Sequence, residues 1–420
     1  MRFKSKFSSV ALFTLLVTFI IPSYAQEAEL TLERAVLVMR HGVRPPTKSA
    51  KAMAAWSDSS WPDDAAWGAA PGELTPHGAE SIRKLGVDLR HFYASAGLLP
   101  EQGSISEKTL LWADGADQRT RATAHFLAQG LTTDQTNAPA VAWSANATDP
   151  LFDALSAGVC KLDPIAAQKA VLENGPIDTP KTNAALANLQ KVMAPLACNK
   201  GPGMCLAEPS KLSTSATEVK LLGPLATGAT VAEILLLEYE NGLPLSQVGW
   251  GRVSRDDIAS LLLIHEHASN LTRRTPYIAL RRADSLVRFI LAALSENSVS
   301  STIPKIAEQN RLIVLAGHDT NLSNLAGVFN LNWHLPDQPD VTAPGTAIAF
   351  ERWRDNKTGQ ALLRMRLFYQ GMEQVRELQG EPLRQIPLMP AACQAKGKHC
   401  ELADVVQEVM KTLPTDCQRK

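Results

Sequence analysis

Ala35-Val36-Leu37-Val38-Met39-Arg40-His41-Gly42-Val43-Arg44-Pro45-Pro46 is the stretch on which the reading of this chain turns. Its first part is an apolar run of the length and composition of a buried strand. The run passes directly into two arginines placed around a histidine. Guanidinium forks match an oxyanion, and an imidazole nitrogen between them can react with what they hold. Gly42 lets the backbone turn sharply and approach a ligand closely. Pro45 and Pro46 stiffen the exit. The pattern R-H-G-x-R-x-P should arise by chance on the order of once in ten thousand chains of this length. A basic turn with no chemistry is the plain alternative, and the spacing argues against it.

The same layout of strand, polar loop and helix occurs twice more. Arg311 to Ala316 is an apolar run that ends in Gly317-His318-Asp319-Thr320-Asn321, with a helix expected through Val328. Thr109 to Ala113 is another, followed by Asp114 to Gln118 and a helix opening at Arg119-Thr120-Arg121 and running through Leu127. In open α/β sheets ligands sit beyond the C-terminal ends of strands, beside helix N-termini. Three such ends carrying Arg and His can converge on one anion. Ile82, Leu85, Leu89 and Phe92 recur at helical spacing in a helix expected over Pro76 to Tyr93, with Thr75 as N-cap and Pro76 in the first turn. Ala347 to Trp353 and Ala361 to Tyr369 alternate as strands do. Ser295 to Lys305 has the composition of a surface loop.

The stretch from Asn146 to Leu271 has another texture, rich in Ala, Leu, Lys and Asn, with helical runs over Ala184 to Met193 and Ala229 to Tyr239. We therefore expect a three-layer α/β domain with a mostly parallel sheet, built from residues 26–145 and 272–420. An all-helical domain, residues 146–271, would be inserted in it.

Residues 1–25 read as a secretory signal. Arg2, Lys4 and Lys6 form the charged start, Val10 to Ile21 the apolar middle, and Ser23-Tyr24-Ala25 the cleavage site. The apolar run is short for a membrane span, so an exported protein with no membrane association is expected after cleavage. The chain has 42 basic and 42 acidic residues; removing the three basic residues of the signal leaves a net charge of −3. That is not a nucleic-acid footprint. A nearly neutral protein that binds polyanions must focus its positive charge in one cleft. Six cysteines in an exported chain imply three disulfides. Spacing suggests Cys198–Cys205 and Cys393–Cys400 as short loops, although six cysteines allow about fifteen pairing schemes in all. With no C-x-x-C pair and no H-E-x-x-H helix, no metal or other cofactor is expected. His265 and His267 would face different sides of a helix.

On these motifs the chain resembles the histidine acid phosphatases. That family carries R-H-G-x-R-x-P near its start and an H-D pair near its end. The resemblance runs through Val43 to Lys48, Gly158-Val159-Cys160, Gly249 to Arg252, Arg274-Thr275-Pro276, Gly317 to Leu322 and Phe350 to Arg354. Within the family it points to the periplasmic phytases of enterobacteria, and it also implies a Cys160–Cys417 disulfide. The family's early fourth bridge has no counterpart here.

The resemblance implies His41 as nucleophile, giving a phosphohistidine, and Asp319 as general acid. Helix capping is the plain alternative for Asp319. Arg40, Arg44, Arg119 and His318 would hold the scissile phosphate, with Arg121 left as a solvated helix residue. Thr47, Lys48, Glu233, Arg282 and His265 match positions that line the family's substrate pocket. The expectation is thus a periplasmic or secreted, monomeric phosphomonoesterase acting on phytate (myo-inositol hexakisphosphate) and other phosphomonoesters. The first alternative is a glucose-1-phosphatase-like sugar phosphatase. A non-catalytic phosphate-binding protein would not need His41 or Asp319, and both are present.

Overall fold

A computed structural model describes residues 30–132, 138–145, 148–193, 205–295, 304–378, 382–394 and 400–417. The expected signal segment, Cys198 and the middle of the Ser295–Lys305 loop lie outside these residues.

The strands in chain order are β1 (Leu30–Arg40), β2 (Thr109–Ala113), β3 (Val141–Trp143), β4 (Lys211–Thr214), β5 (Val219–Leu222), β6 (Leu312–Gly317), β7 (Ala347–Asp355), β8 (Ala361–Tyr369) and β9 (Arg384–Leu388). A seven-stranded sheet has the order β3-β2-β6-β1-β7-β8-β9. Pairing is parallel from β3 to β1 and antiparallel from β1 to β9. Thus β3, β2, β6, β1 and β8 point one way, and β7 and β9 the other. The central strands are buried over the whole of β6 and from Ala35 onward in β1, because helices cover both faces of the sheet. On one side the strands pack on helices Pro76–Ser95 and Gln118–Gly130 through Leu37, Met39, Leu85 and Leu127. On the other they meet helices Asp284–Leu294 and Asp319–Phe329 through Val36, Val38, Ile290 and Leu325.

β1 is longer than its apolar run suggests. Leu30 to Leu32 pair with the end of β7, so the ladder continues where the hydrophobic signal has stopped. The other expected elements agree within a few residues. Helix Pro76–Ser95 starts where the sequence places it, with the Thr75 hydroxyl accepting from the Gly78 N–H.

Between β3 and β6 the described residues add no strand to the main sheet. This segment holds helices Pro164–Asn174, Pro180–Met193, Pro224–Glu240 and Arg255–Thr272. It also holds the β4–β5 hairpin, so it is not wholly helical as expected. The hairpin strands are short and half exposed, which leaves little hydrophobic pattern to read. The core of this segment is built around helix Pro224–Glu240 and takes in Met53, Trp61 and Met372 from outside it. Helix Pro224–Glu240 is buried almost all round and carries Glu233 toward the strand ends.

Cys160–Cys417 and Cys393–Cys400 are disulfide-bonded, as expected. Cys205 is disulfide-bonded too; its expected partner, Cys198, lies outside the described residues. No helix among the described residues is long and apolar enough to cross a membrane.

Candidate active site

The three strand ends singled out in the sequence are neighbours in the sheet. Arg40 pairs with Gly317 and Ala113 with Ala316. Backbone bonds continue past the ladder: the His41 N–H donates to the Gly317 carbonyl at 3.0 Å and the Asp114 N–H to the Ala316 carbonyl at 3.0 Å. His41, Asp114 and His318 therefore leave the sheet side by side. The imidazole rings of His41 and His318 lie edge to face, 5.7 Å apart.

Gly42 acts differently from the expectation of a sharp, ligand-facing turn. A Cβ there would stand 2.8 Å from Ile82 Cγ1 and 3.1 Å from the Gly78 carbonyl oxygen. The glycine lets the loop press on helix Pro76–Ser95. Its carbonyl also accepts from His41 Nδ1 at 2.8 Å. With Nδ1 as the donor, Nε2 carries the lone pair. His41 is 2% exposed. Burial, followed by the charges of Arg44, Arg119 and Arg40, pushes its pKa well below the usual value. The ring is a neutral imidazole with Nε2 free.

The arginines around it are held by carboxylates. Arg40 is fully buried and bonds Glu233 and, at 2.9 Å, Asp340; it also donates to the Thr342 carbonyl at 2.7 Å. Arg44 reaches both oxygens of Glu233 at 3.3 Å. Glu233 thus lies behind the cup and joins two of its arginines, rather than facing solvent. Burial works against its charge, yet Arg44 and Arg40 hold its pKa at about 2. Arg119 forks onto Asp117 at 2.9 and 2.8 Å and donates to the Gly72 carbonyl. Arg121, the other arginine of that helix, turns away to the Gly115 carbonyl at 2.5 Å and the Trp143 ring. The Nε atoms of Arg40, Arg44 and Arg119 are buried without a hydrogen-bond partner, and the guanidiniums of Arg44 and Arg119 bring uncompensated donors to the cup.

His318 is the N-cap of helix Asp319–Phe329, and its N–H donates to Asn321 Oδ1 at 2.9 Å. Its Nε2 is 2.7 Å from Asp114 Oδ2. Burial disfavours the Asp114 charge, but the bond to His318 outweighs it and keeps the carboxyl ionised, so Nε2–H donates. Asp319 opens the helix without capping it through its side chain. One carboxylate oxygen accepts from the Thr320 N–H at 2.9 Å and the other from Arg273. His265 Nε2 lies 3.9 Å from Asp319. Burial alone would raise the Asp319 pKa; Arg273 and Arg40 carry it well below the usual carboxylate range.

Of the rim residues, Thr47 and Lys48 are exposed. Thr47 packs over Gly72 beside Arg119, and Lys48 Nζ stands 5.4 Å from the Trp56 ring centre. Arg282 ends helix Pro276–Arg282 and pairs with Asp153 at 3.6 Å; no bond links it to the arginine cluster. His265 is buried, with Nδ1 3.3 Å from the Ala229 carbonyl.

Sequence reading passed over Asp114, Asp340 and Arg273. Asp114 is the first residue after β2, a position equivalent to His41 after β1 and His318 after β6, and that equivalence was the available signal. Arg273 directly precedes Arg274-Thr275-Pro276. Asp340 lies in an irregular segment with no pattern to reveal it. Asp114, Asp117 and His318 present ligand atoms within 4.8 Å of one another. The two carboxylates are already engaged with His318 and Arg119, so the trio serves to position those side chains.

The chain is similar to known proteins. Residues 31–197 match the histidine phosphatase superfamily, branch 2. The chain is 33% identical over 408 residues to phytase AppA of Escherichia coli strain K12, covering 92% of this chain and 93% of that one. The Hafnia alvei phytase solved with myo-inositol hexakis sulphate superposes with a TM-score of 0.85 at 32% identity, covering 94% of this chain and 100% of that one. A glucose-1-phosphatase of Salmonella typhimurium is 26% identical over 377 residues, 87% of each chain.

Proposed function

The chain belongs to the histidine phosphatase superfamily, branch 2, and is a phosphomonoesterase; on that footing we propose that it hydrolyses phytate through a phosphohistidine on His41. The observation that carries this reading is the His41 ring. It is neutral, fixed through Nδ1 on the Gly42 carbonyl, and has Nε2 free among three guanidiniums.

Phosphoryl transfer asks for an in-line nucleophile and for charge stabilisation at three equatorial oxygens. Arg44, Arg119 and Arg40 supply positive charge and donors on the oxygens, and His318 is assigned beside them at the same phosphate. His41 Nε2 forms the bond to phosphorus as the bond to the leaving oxygen breaks, and Asp319 donates a proton to that oxygen. Asp319, then ionised, takes a proton from water as the water attacks the phosphohistidine. His41 leaves with its electron pair and phosphate is released. The same arginines that hold phosphate keep His41 unprotonated in acid, so the nucleophile works where carboxyl groups can still be protonated.

Thr47, Lys48 and Arg282 are assigned to the remaining phosphates of the substrate. In support, Thr47 and Lys48 continue the exposed edge of the cup. Residues 146–271, hairpin included, are read as an insertion in the α/β domain, and the protein as an exported periplasmic monomer. Secreted disulfide chemistry supports that location.

Purified protein assayed on phytate, glucose 1-phosphate and p-nitrophenyl phosphate tests the substrate reading. The expected result is the highest kcat/KM on phytate. A preference for glucose 1-phosphate would instead favour the sugar phosphatase, the reading to which the Salmonella relative points.

A further inference from the structure

Asp319 is bonded to Arg273 in the ligand-free protein, yet the acid step needs it free and protonated. Arg273 is the residue just past helix Arg255–Thr272. Its neighbour Arg274 is tied to the Leu331 carbonyl, Asn332 and Asn270. Arg273 has no such anchor: Asp319 is the side-chain partner that the structure gives it, and 27% of its side chain is open to solvent. One end of this ion pair is fixed at a helix start and the other is a partly exposed cation with no second side-chain tie.

The leaving oxygen must lie beside Asp319 for proton transfer to occur. On a densely phosphorylated ring, the carbons next to the leaving oxygen carry phosphates of their own. Those groups therefore fall on the Asp319 side of the cup, where Arg273 stands. A phosphate dianion offers a guanidinium more charge than a carboxylate does, with the same bidentate fit.

Resting on the phosphatase reading above, we propose that Arg273 is a specificity-determining residue that pairs with Asp319 until a second phosphate of the substrate draws it away. The general acid is thereby armed by polyphosphorylated substrates and restrained with single phosphomonoesters.

The surroundings of Asp319 allow such a switch. The groups facing it are Arg273 and His265 from helix Arg255–Thr272 and its end, Arg40 from β1, Glu233 from helix Pro224–Glu240 and Arg119 from helix Gln118–Gly130. Burial favours the neutral acid, and Arg273 is the strongest influence against it. Once Arg273 moves to phosphate, Asp319 takes a proton from the acidic solvent. It passes that proton to the leaving oxygen as the phosphorus–oxygen bond breaks.

The test compares wild type, Arg273→Gln and Arg273→Lys on phytate and on glycerol 2-phosphate, with full pH profiles of kcat/KM. In Arg273→Gln the alkaline limb on glycerol 2-phosphate should move up by about one pH unit, and its kcat/KM near that limb should rise about tenfold. Phytate should lose through KM, so the phytate to glycerol 2-phosphate ratio falls at least roughly tenfold. Arg273→Lys keeps the charge and should retain most of the wild-type ratio. Equal losses on both substrates with an unmoved pH limb would overturn the proposal and leave Arg273 a structural tie. Failure of the wild type to hydrolyse either substrate would instead overturn the phosphatase reading beneath it.

Discussion

The Asp319 carboxylate is where helix start, ion pair and acid chemistry meet. If it protonates the leaving oxygen, its worth depends on how basic that oxygen is. Asp319→Ala should lose roughly 10²–10⁴-fold in the single-turnover rate on phytate, which releases a basic alkoxide, and far less on p-nitrophenyl phosphate, whose leaving group needs little help. A uniform loss on both would return Asp319 to a structural role. Glu233 gives a second residue-scale test. It is the shared counter-charge of Arg40 and Arg44, deep behind the cup. Glu233→Gln leaves two buried guanidiniums short of a partner and should cost about 3–5 kcal/mol, read as a lower midpoint in urea. A loss of phosphate affinity without loss of stability would place Glu233 on the substrate rather than behind the arginines.

Helix Pro76–Ser95 sets the position of the His41 loop. A Cβ on Gly78 would stand 2.5 Å from the Val43 carbonyl oxygen and 2.8 Å from the Val43 nitrogen. Backbone cannot yield there as a side chain can, so Gly78→Ala should push the helix off the loop. The cost is about 1–3 kcal/mol or more in stability, and kcat/KM should fall because His41 moves with Val43. A variant of full activity would show that the loop and helix are not coupled. The elements that carry this site were legible in the sequence for a physical reason. β1, β2 and β6 are buried strands that end in polar loops, and both signals are local. Which strands neighbour one another was not legible, because the order β2-β6-β1 joins segments hundreds of residues apart. The roles of Glu233 and Arg273 were hidden for the same reason. A charge on a helix looks alike in sequence whether it faces water or, like Glu233, two arginines in the core. The β4–β5 hairpin was missed because short, half-exposed strands carry almost no periodic pattern.

At the scale of the whole molecule, buried acids set how stability responds to pH. Glu238 and Glu240 are buried, and burial pushes both up to about 8. The folded state therefore binds more protons than the unfolded one between about 4.5 and 8, and stability falls as pH rises through that window. Glu233, held at about 2, acts in reverse and withdraws its contribution as pH falls from 4.5 toward 2. His41, buried neutral, likewise costs stability as pH drops below its ordinary 6.5. Above 4.5 the two glutamates outweigh the one histidine, so thermal midpoints should peak near about 4.5. A Glu238→Gln, Glu240→Gln protein should lose less stability toward pH 8 than wild type; an unchanged alkaline slope would contradict the assignment. The Cys160–Cys417 bond closes a separation of 257 residues and ties the chain's end to the segment after β3. Cys160→Ser with Cys417→Ser should cost about 2–4 kcal/mol, measured as a lower midpoint in denaturant, with activity of the folded fraction kept. The proposed chemistry turns on one covalent event, the transfer of a phosphoryl group to His41. Acid-free quenching of the enzyme during turnover of labelled substrate, followed by peptide mapping, tests it directly. The prediction is acid-labile, base-stable phosphate on the peptide carrying His41, absent in His41→Ala, which should still bind phosphate. Label on a serine, or substantial turnover by His41→Ala, would contradict it.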